Sequence, residues 1–126
     1  QYAGIEALQG PQDDLRNIIN EFEKRKIFLH KEINKLKNIS CFKPGGAFYA
    51  FPNISDTGLN GKEFSNIALE EKGVALVPGT SFGDKANYFV TISFANSIEK
   101  IEEAIKRIST IWKKLKQLLS HLNYQM

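Results

Sequence analysis

The chain has 126 residues, of which 42% are hydrophobic and 25% are charged. These shares are those of a globular protein and argue against disorder, and the length predicts a single domain over residues 1–126. The net charge of +3 comes from basic residues mixed with acidic ones, so it does not indicate a nucleic-acid partner. No apolar stretch is long enough to span a membrane and no leader-like segment opens the chain, so we expect a cytoplasmic protein without a membrane partner.

Two helices are predicted at the start of the chain. Residues 1–9 contain helix formers without a capping residue before them, and they look like the end of a cut helix that stops at Gly10 and Pro11. A second helix is predicted from Pro11 to about Leu36, because apolar residues recur there at intervals of three and four. The members of this stripe are Leu15, Ile18, Ile19, Phe22, Leu29, Ile33 and Leu36. A helix of this length must span the whole domain or lean on a neighbour.

Short strands and one helix are predicted in the middle of the chain. Residues 40–42 and 47–51 favour strands, and Gly45 and Gly46 between them are expected to supply positive φ or a close backbone approach. Both faces of the second strand are apolar, so both are expected to be covered. A helix over residues 61–71 that ends at Gly73 is followed by a buried strand at 74–77, a loop with glycine hinges at 78–87 and a strand at 88–95.

A final helix is predicted from Asn96 or Ser97, with apolar spacing that continues through Trp112 and Leu115 to Leu119. Its opposite face is basic, which indicates a solvated helix face rather than a binding patch. The order of elements predicts an α+β fold, in which long helices cover a small mixed or antiparallel sheet.

The residues by themselves predict no catalytic or metal site. Residues 79–85 have neither the glycine spacing of a phosphate-binding loop nor a helix after them. His30 and His121 lack partners at metal-ligand spacing, and Cys41 is expected to be a buried, inert thiol. The adjacent acidic pairs at 13–14 and 70–71 cannot form an acid/base dyad, because neighbours on a helix do not face each other.

Three blocks of sequence, at residues 43–49, 73–83 and 89–95, resemble the carboxy-terminal small domain of the aspartate aminotransferase superfamily. Glycine, alanine, phenylalanine and tyrosine at 46–49 form the most family-like run. The resemblance covers roughly residues 1–110. It implies that residues 1–9 are the remnant of an interdomain helix and that residues 11–110 are the core of the small domain. Residues 111–126, which run past the resemblance, are predicted to extend the final helix.

The resemblance implies transamination with pyridoxal phosphate as the cofactor of the parent enzyme. In that family a lysine of the large domain carries the cofactor, and the small domain closes over an amino acid or 2-oxo acid substrate. Neither the lysine motif nor a phosphate cup is recognisable in residues 1–126. We therefore expect this chain alone to be inactive and to bind no cofactor. We expect it to work with a large domain of the same or a companion chain, and we consider self-association of the isolated chain plausible.

Thr91 occupies the position at which the family carries the arginine that grips the substrate carboxylate. A threonine offers one neutral hydrogen bond in place of two charge-assisted ones. Lys85 is the nearest cation in sequence and is a speculative substitute. The alternative is an orphaned, non-enzymatic domain that binds a protein partner, and a weaker third option is nucleic-acid binding through the basic final helix.

Overall fold

The structure, a computed structural model, describes residues 1–111. It contains the helices α1 (Tyr2–Gln9), α2 (Asp13–Ile33), α3 (Gly61–Lys72) and α4 (Ile98–Ile108), and the strands β1 (Tyr49–Ala50), β2 (Val77–Pro78) and β3 (Val90–Ser93). The strands form one sheet in the order β1, β3, β2, and both pairings are antiparallel. The predicted α+β class is confirmed, with the sheet antiparallel rather than mixed.

The register of β3 decides which side chains enter the core. Tyr49 lies opposite Ser93 on β1, and Val77 lies opposite Thr91 on β2. Because side chains alternate along a strand, these four residues share one face of the sheet. The other face carries Ala50, Val90 and Ile92, which are buried with apolar residues of α2, α3 and α4. The apolar members from the helices include Leu29, Ile33, Phe64, Ala68, Ile101, Ile105 and Ile108.

The prediction that both faces of the strand at residues 47–51, which contains β1, are covered is wrong. Tyr49 and Phe51, which alternate with the buried Ala50, are exposed in the chain. The reason is that α2, α3 and α4 pack into one core against Ala50, Val90 and Ile92, and no element of residues 1–111 buries the side of Tyr49 and Phe51. The sheet therefore has one face in the core and one uncovered face.

The second helix is shorter than the predicted span from Pro11 to Leu36. It ends at Ile33, and the side chain of the next residue, Asn34, is hydrogen-bonded to the backbone of Cys41, seven residues further along the chain. The Cys41 N–H donates to Asn34 Oδ1 at 2.9 Å, and Asn34 Nδ2 donates to the Cys41 carbonyl at 3.0 Å. Asn38 then takes a left-handed conformation with φ of 69°, which turns the chain toward the sheet.

The observed strands are shorter than the predicted ones, because backbone pairing covers only part of each predicted segment. In residues 40–42 only Ser40 pairs, as an isolated bridge to Asn53, and residues 74–76 lie outside the ladder. Glycines at 45 and 46 have neither positive φ nor a close neighbour, so the role predicted for them is wrong. The left-handed residue in this segment is Ala47, with φ of 55°.

The helix α3 is fixed at both ends by local sequence. The Asn60 side chain accepts hydrogen bonds from the N–H groups of Lys62 and Glu63, both at 3.0 Å, and the Glu63 carboxylate accepts one from the Asn60 N–H at 2.9 Å. This is a complete capping box. Gly73 ends the helix in a left-handed conformation, with φ of 64°.

The final helix begins at Ile98, with Ser97 as its cap, which confirms the second of the two predicted starts. Its apolar side is buried, and Lys106 and Arg107 on the other side are exposed and paired with Glu102 and Glu103. The predicted extension over 111–126, with Trp112, Leu115 and Leu119, lies beyond the described residues from position 112 onward. In the part of the chain that the structure describes, no helix combines the length and the apolar character needed to cross a membrane.

The capping box gives a direct stability prediction. Asn60→Ala should lower the free energy of unfolding by about 1 kcal/mol, because two N–H groups at the start of α3 lose their acceptor. The measurement is urea unfolding of the chain. Asn66→Ala, the same change at an exposed position inside α3, is the matched control and should leave stability unchanged or slightly higher. Equal losses in both variants would refute the capping role.

Candidate functional site

The uncovered face of the sheet is aromatic. Tyr49 is 48%, Phe51 40%, Val77 45% and Phe82 68% exposed, and Phe89 and Thr91 lie among them. We call these six residues the aromatic sheet face, and the exposed, polar Ser93 lies beside them on the same side of the sheet. Thr91 lies on its central strand, directly opposite Val77. Contiguous exposed apolar surface of this kind marks a binding surface more often than a solvated one.

Ring contacts hold this face together. The rings of Phe51 and Phe89 stack, with their centroids 5.0 Å apart and their planes inclined by 12°. Phe82 meets Phe51 edge to face, at 6.3 Å and 88°. Both geometries are favourable for aromatic pairs, so the face is ordered by its own packing. Phe82 belongs to the short 3-10 helix Gly79–Phe82 that follows β2, which brings the loop after β2 to the face.

That loop is held by close backbone packing against α3 and β3. The Gly79 N–H donates to the Phe89 carbonyl at 2.7 Å, and the Gly61 N–H donates to the Asn87 carbonyl at 2.6 Å. A Cβ atom added at Gly79 would collide with the Ala86 carbonyl, and one at Gly61 would collide with the Phe89 carbonyl. Both glycines therefore permit a close approach, and only Gly83, with φ of 146°, bends the loop through a conformation that favours glycine.

Thr91 is buried, with 8% of its surface exposed, and its hydroxyl points to no partner. Among the described residues, Thr91 Oγ1 and Ser65 Oγ are the buried side-chain oxygens without a hydrogen bond. The small exposed part of Thr91 is therefore not its hydroxyl oxygen. In this conformation Thr91 presents no hydrogen-bonding side-chain atom to a molecule on the aromatic sheet face.

The arginines of the chain are engaged elsewhere. Arg16 pairs with Asp13 at 3.4 Å, and the Arg25 guanidinium lies 5.3 Å from the centre of the Phe22 ring. Arg107 donates to Glu103 at 2.8 Å. Its second contact is with the last carbonyl of α3, at 3.2 Å. None of these three side chains hydrogen-bonds to Thr91.

Lys85, the proposed substitute cation, lies in the short 3-10 helix Asp84–Ala86. It is exposed and makes no ion pair with a described residue. It does not hydrogen-bond to Thr91, whose oxygen has no partner. The role of Lys85 in place of the arginine therefore stays a prediction, and no contact in the structure supports it.

The described residues do not fit pyridoxal phosphate. A phosphate group is bound by free N–H groups at a helix start or by clustered cations. The first turn of α2 carries Asp13 and Asp14, and that of α3 is capped by Asn60 and Glu63. At α4, hydrogen bonds from its own backbone N–H and from Ser97 lower the pKa of the Glu99 carboxyl, which keeps a negative charge there.

The remaining sequence candidates are structural. Cys41 is buried, and this burial raises the pKa of its thiol, in agreement with the predicted inert role. His30 is partly buried on α2, and residues 1–111 contain no group of three histidine, cysteine or acidic side chains that could hold a metal ion. His121 lies outside the described residues.

A second uncovered apolar surface was missed by the sequence patterns. Leu15, Ile18 and Ile19 belong to the apolar stripe of α2, yet each is about half exposed. A groove of about 400 Å³ separates this part of α2 from residues 45–48, with Phe22 and Phe48 in its walls. The available signal was the length of the stripe, which exceeds what one small core can cover.

The unpartnered hydroxyl predicts an unusual stability effect. Thr91→Val should raise the free energy of unfolding by about 1 kcal/mol, because it removes a buried polar atom that has no hydrogen bond. The matched control is Thr57→Val, which breaks the 2.7 Å hydrogen bond to the Ile54 carbonyl and should lower stability by about 1 kcal/mol. Denaturant unfolding measures both changes, and a loss at Thr91 equal to that at Thr57 would contradict the buried, unpaired assignment.

Comparison with known proteins identifies a family and relatives that this chain resembles. The family model of class I and II aminotransferases matches residues 1–108. The chain is 39% identical over 118 residues to aromatic-amino-acid aminotransferase 2 of Thermococcus litoralis, covering 92% of this chain and 30% of that protein. The aspartate aminotransferase of Pyrococcus abyssi matches with the same identity and the same shares.

A solved structure gives the same answer. The crystal structure of an aromatic aminotransferase from Pyrococcus horikoshii matches with a TM-score of 0.85 and 38% identity, over 91% of this chain and 31% of that one. The chain thus spans about 30% of the length of the curated relatives it matches. Since the family match extends over residues 1–108 of 126, the chain belongs to the class I and II aminotransferases.

Proposed function

We propose that this chain is the carboxy-terminal small domain of a pyridoxal-phosphate-dependent aminotransferase of the aspartate type. Its role is to close over a substrate site held by a large domain. The observation that carries the proposal is the family match over residues 1–108 in a chain that spans 30% of its relatives. The aromatic sheet face, which is uncovered and includes Thr91, supports the proposal as the surface that meets the site.

The exposed apolar surfaces support a companion domain. Residues Leu15, Ile18 and Ile19 of α2 and the aromatic sheet face are apolar side chains left in water by this chain. The helix α1 buries none of its own residues, as expected for a segment that packs against something other than residues 10–111. In this proposal residues 1–9 belong to an interdomain helix. A large domain would remove all three surfaces from water, and each apolar side chain buried in this way contributes roughly 1.5–3 kcal/mol.

Within the complete enzyme, the chain would form one wall of the substrate site and exclude water from it, and it would supply no reacting group. Pyridoxal phosphate supplies the electron sink for amino-group transfer when it is bound. The stacked Phe51 and Phe89 and the neighbouring Phe82 exclude water from the side of the site that they cover. The capping box of α3 and the close approach at Gly79 keep the loop after β2, and with it Phe82, in position.

The alternative remains an orphaned interaction domain without enzymatic activity. The observation that favours it is the neutral, buried Thr91 at the position of an expected arginine, since no described side chain hydrogen-bonds to its hydroxyl. The coding sequence before Gln1 separates the two proposals. An in-frame large domain supports the enzyme, and an independent start codon directly before Gln1 supports the interaction domain.

Titration with pyridoxal phosphate tests whether the isolated chain binds the cofactor or needs the rest of the protein to do so. The isolated chain should give no new absorbance band and no borohydride-reducible lysine adduct beyond that of a random lysine peptide, because the starts of α2, α3 and α4 are acidic or already capped. The full-length protein should bind the cofactor and transfer amino groups. A single lysine of the isolated chain that is labelled stoichiometrically would overturn the proposal.

A further inference from the structure

We propose that the peptide unit of Asn60 and Gly61 is a modification site, at which the asparagine side chain deamidates through a cyclic imide when the start of α3 opens. This inference does not depend on the proposed function. Asn60 is the only asparagine in residues 1–126 that is followed by glycine. A glycine nitrogen attacks the preceding asparagine side chain most readily, because no Cβ atom blocks the approach and the glycine backbone rotates freely.

The reaction consumes water and needs no oxidant or reductant. The Gly61 nitrogen attacks Cγ of Asn60, a new N–C bond forms, and the bond between Cγ and Nδ2 breaks. Ammonia leaves with the proton that the Gly61 nitrogen gives up. Water then opens the imide at one of its two carbonyl carbons. Opening at Cγ gives aspartate, and opening at the main-chain carbonyl carbon of residue 60 gives isoaspartate, in which the chain continues through the side chain.

In the folded chain the attacking nitrogen is already engaged. The Gly61 N–H donates a hydrogen bond to the Asn87 carbonyl at 2.6 Å, so its proton points to an acceptor in another part of the chain. Gly61 is buried, and a Cβ atom placed on it would meet the carbonyls of Phe89 and Asn87. The nitrogen must leave this packed environment before it can turn toward Cγ and lose its proton.

The capping box holds the other reacting group. Asn60 Oδ1 accepts hydrogen bonds from the N–H groups of Lys62 and Glu63, both at 3.0 Å, and Glu63 Oε2 accepts one from the Asn60 N–H at 2.9 Å. These bonds tie the carboxamide to the first turn of α3. Ring closure therefore proceeds from a locally open form, and the population of that form sets the rate.

The two products have different consequences for the fold. Aspartate keeps a side-chain oxygen at the cap and is as good a cap as asparagine. Isoaspartate lengthens the main chain directly before Gly61, and this displaces Gly61 from the carbonyls of Asn87 and Phe89. The Phe89 carbonyl also accepts the Gly79 N–H, at 2.7 Å, at the start of the short helix that carries Phe82. Isoaspartate formation therefore disturbs both α3 and the aromatic sheet face.

The test compares the folded chain, checked by circular dichroism, with the same chain in guanidinium chloride at one mildly alkaline pH. Mass spectrometry of the peptide that contains position 60 measures the exchange of its amide for a carboxyl group. We expect conversion in guanidinium chloride and conversion at least about tenfold slower in the folded chain. Asn66, which lies in the same helix and precedes Ile67, is the internal control and should stay intact in both. No conversion at Asn60 in guanidinium chloride, or equal rates in both states, overturns the proposal.

Glu63→Ala tests whether the start of α3 controls the rate. The change removes the acceptor of the Asn60 N–H, so the rate at Asn60 should rise about fivefold in the folded chain and stay unchanged in guanidinium chloride. Glu70→Ala makes the same change at an exposed position of α3 outside the capping box and should alter neither rate. An equal rise in both variants would contradict local control.

Asn60→Asp separates the effects of the two products. This variant should unfold at the same denaturant concentration as the natural chain, because the cap is kept. The isoaspartyl form, isolated after conversion and identified by isoaspartate-specific methylation, should unfold at a lower concentration or fail to refold. Equal midpoints for the isoaspartyl form and for Asn60→Asp would contradict the displacement of Gly61.

Discussion

The antiparallel register of β3 between β1 and β2 is the constraint on which the rest of the structure depends. With Thr91 opposite Val77 and Ser93 opposite Tyr49, the alternating side chains Val90 and Ile92 enter the core. A shift of one residue would exchange the two faces and place Thr91 and Ser93 among the buried residues of α2 and α4. The helices can seal only the face that is apolar in this register.

The same register produces the uncovered face, on which the aromatic rings contact one another. Phe51 and Phe89 stack, and Phe82 joins them from the loop after β2. That loop is positioned by backbone contacts that need glycine at 61 and 79, so the packing of α3 determines where Phe82 lies. The backbone contacts at Gly61 and Gly79 therefore contribute both to the packing of α3 and to the aromatic sheet face. A substitution at either glycine should disturb both.

Family membership and local chemistry lead to different conclusions about this chain. The match over residues 1–108 relates it to aminotransferases, some of which are named for aspartate or aromatic amino acids. Thr91 is neutral, and its hydroxyl oxygen is buried without a hydrogen-bond partner. The two observations concern different levels of the molecule, because the match rests on residues 1–108 as a whole and the chemistry at position 91 rests on one side chain.

The sequence by itself determined the class of the fold, the starts of α3 and α4, and the identity of Cys41 as an inert thiol. These features are local: Asn60 with Glu63, Ser97, and an apolar period that repeats every three or four residues. The sequence also carried the motif blocks at residues 43–49, 73–83 and 89–95. It could not give the end of α2, because that end depends on hydrogen bonds between Asn34 and Cys41, seven residues away.

Only the tertiary structure decided which face of the sheet is left open and that the hydroxyl of Thr91 is hidden. Tyr49 and Phe51 look like core residues in the sequence, since an apolar side chain is expected inside a domain. Their exposure follows from the packing of three helices on the opposite face, a contact between parts of the chain far apart in sequence. The burial of Thr91 Oγ1 also depends on tertiary contacts, because the place of β3 between β1 and β2, and not the residue type, determines what surrounds it.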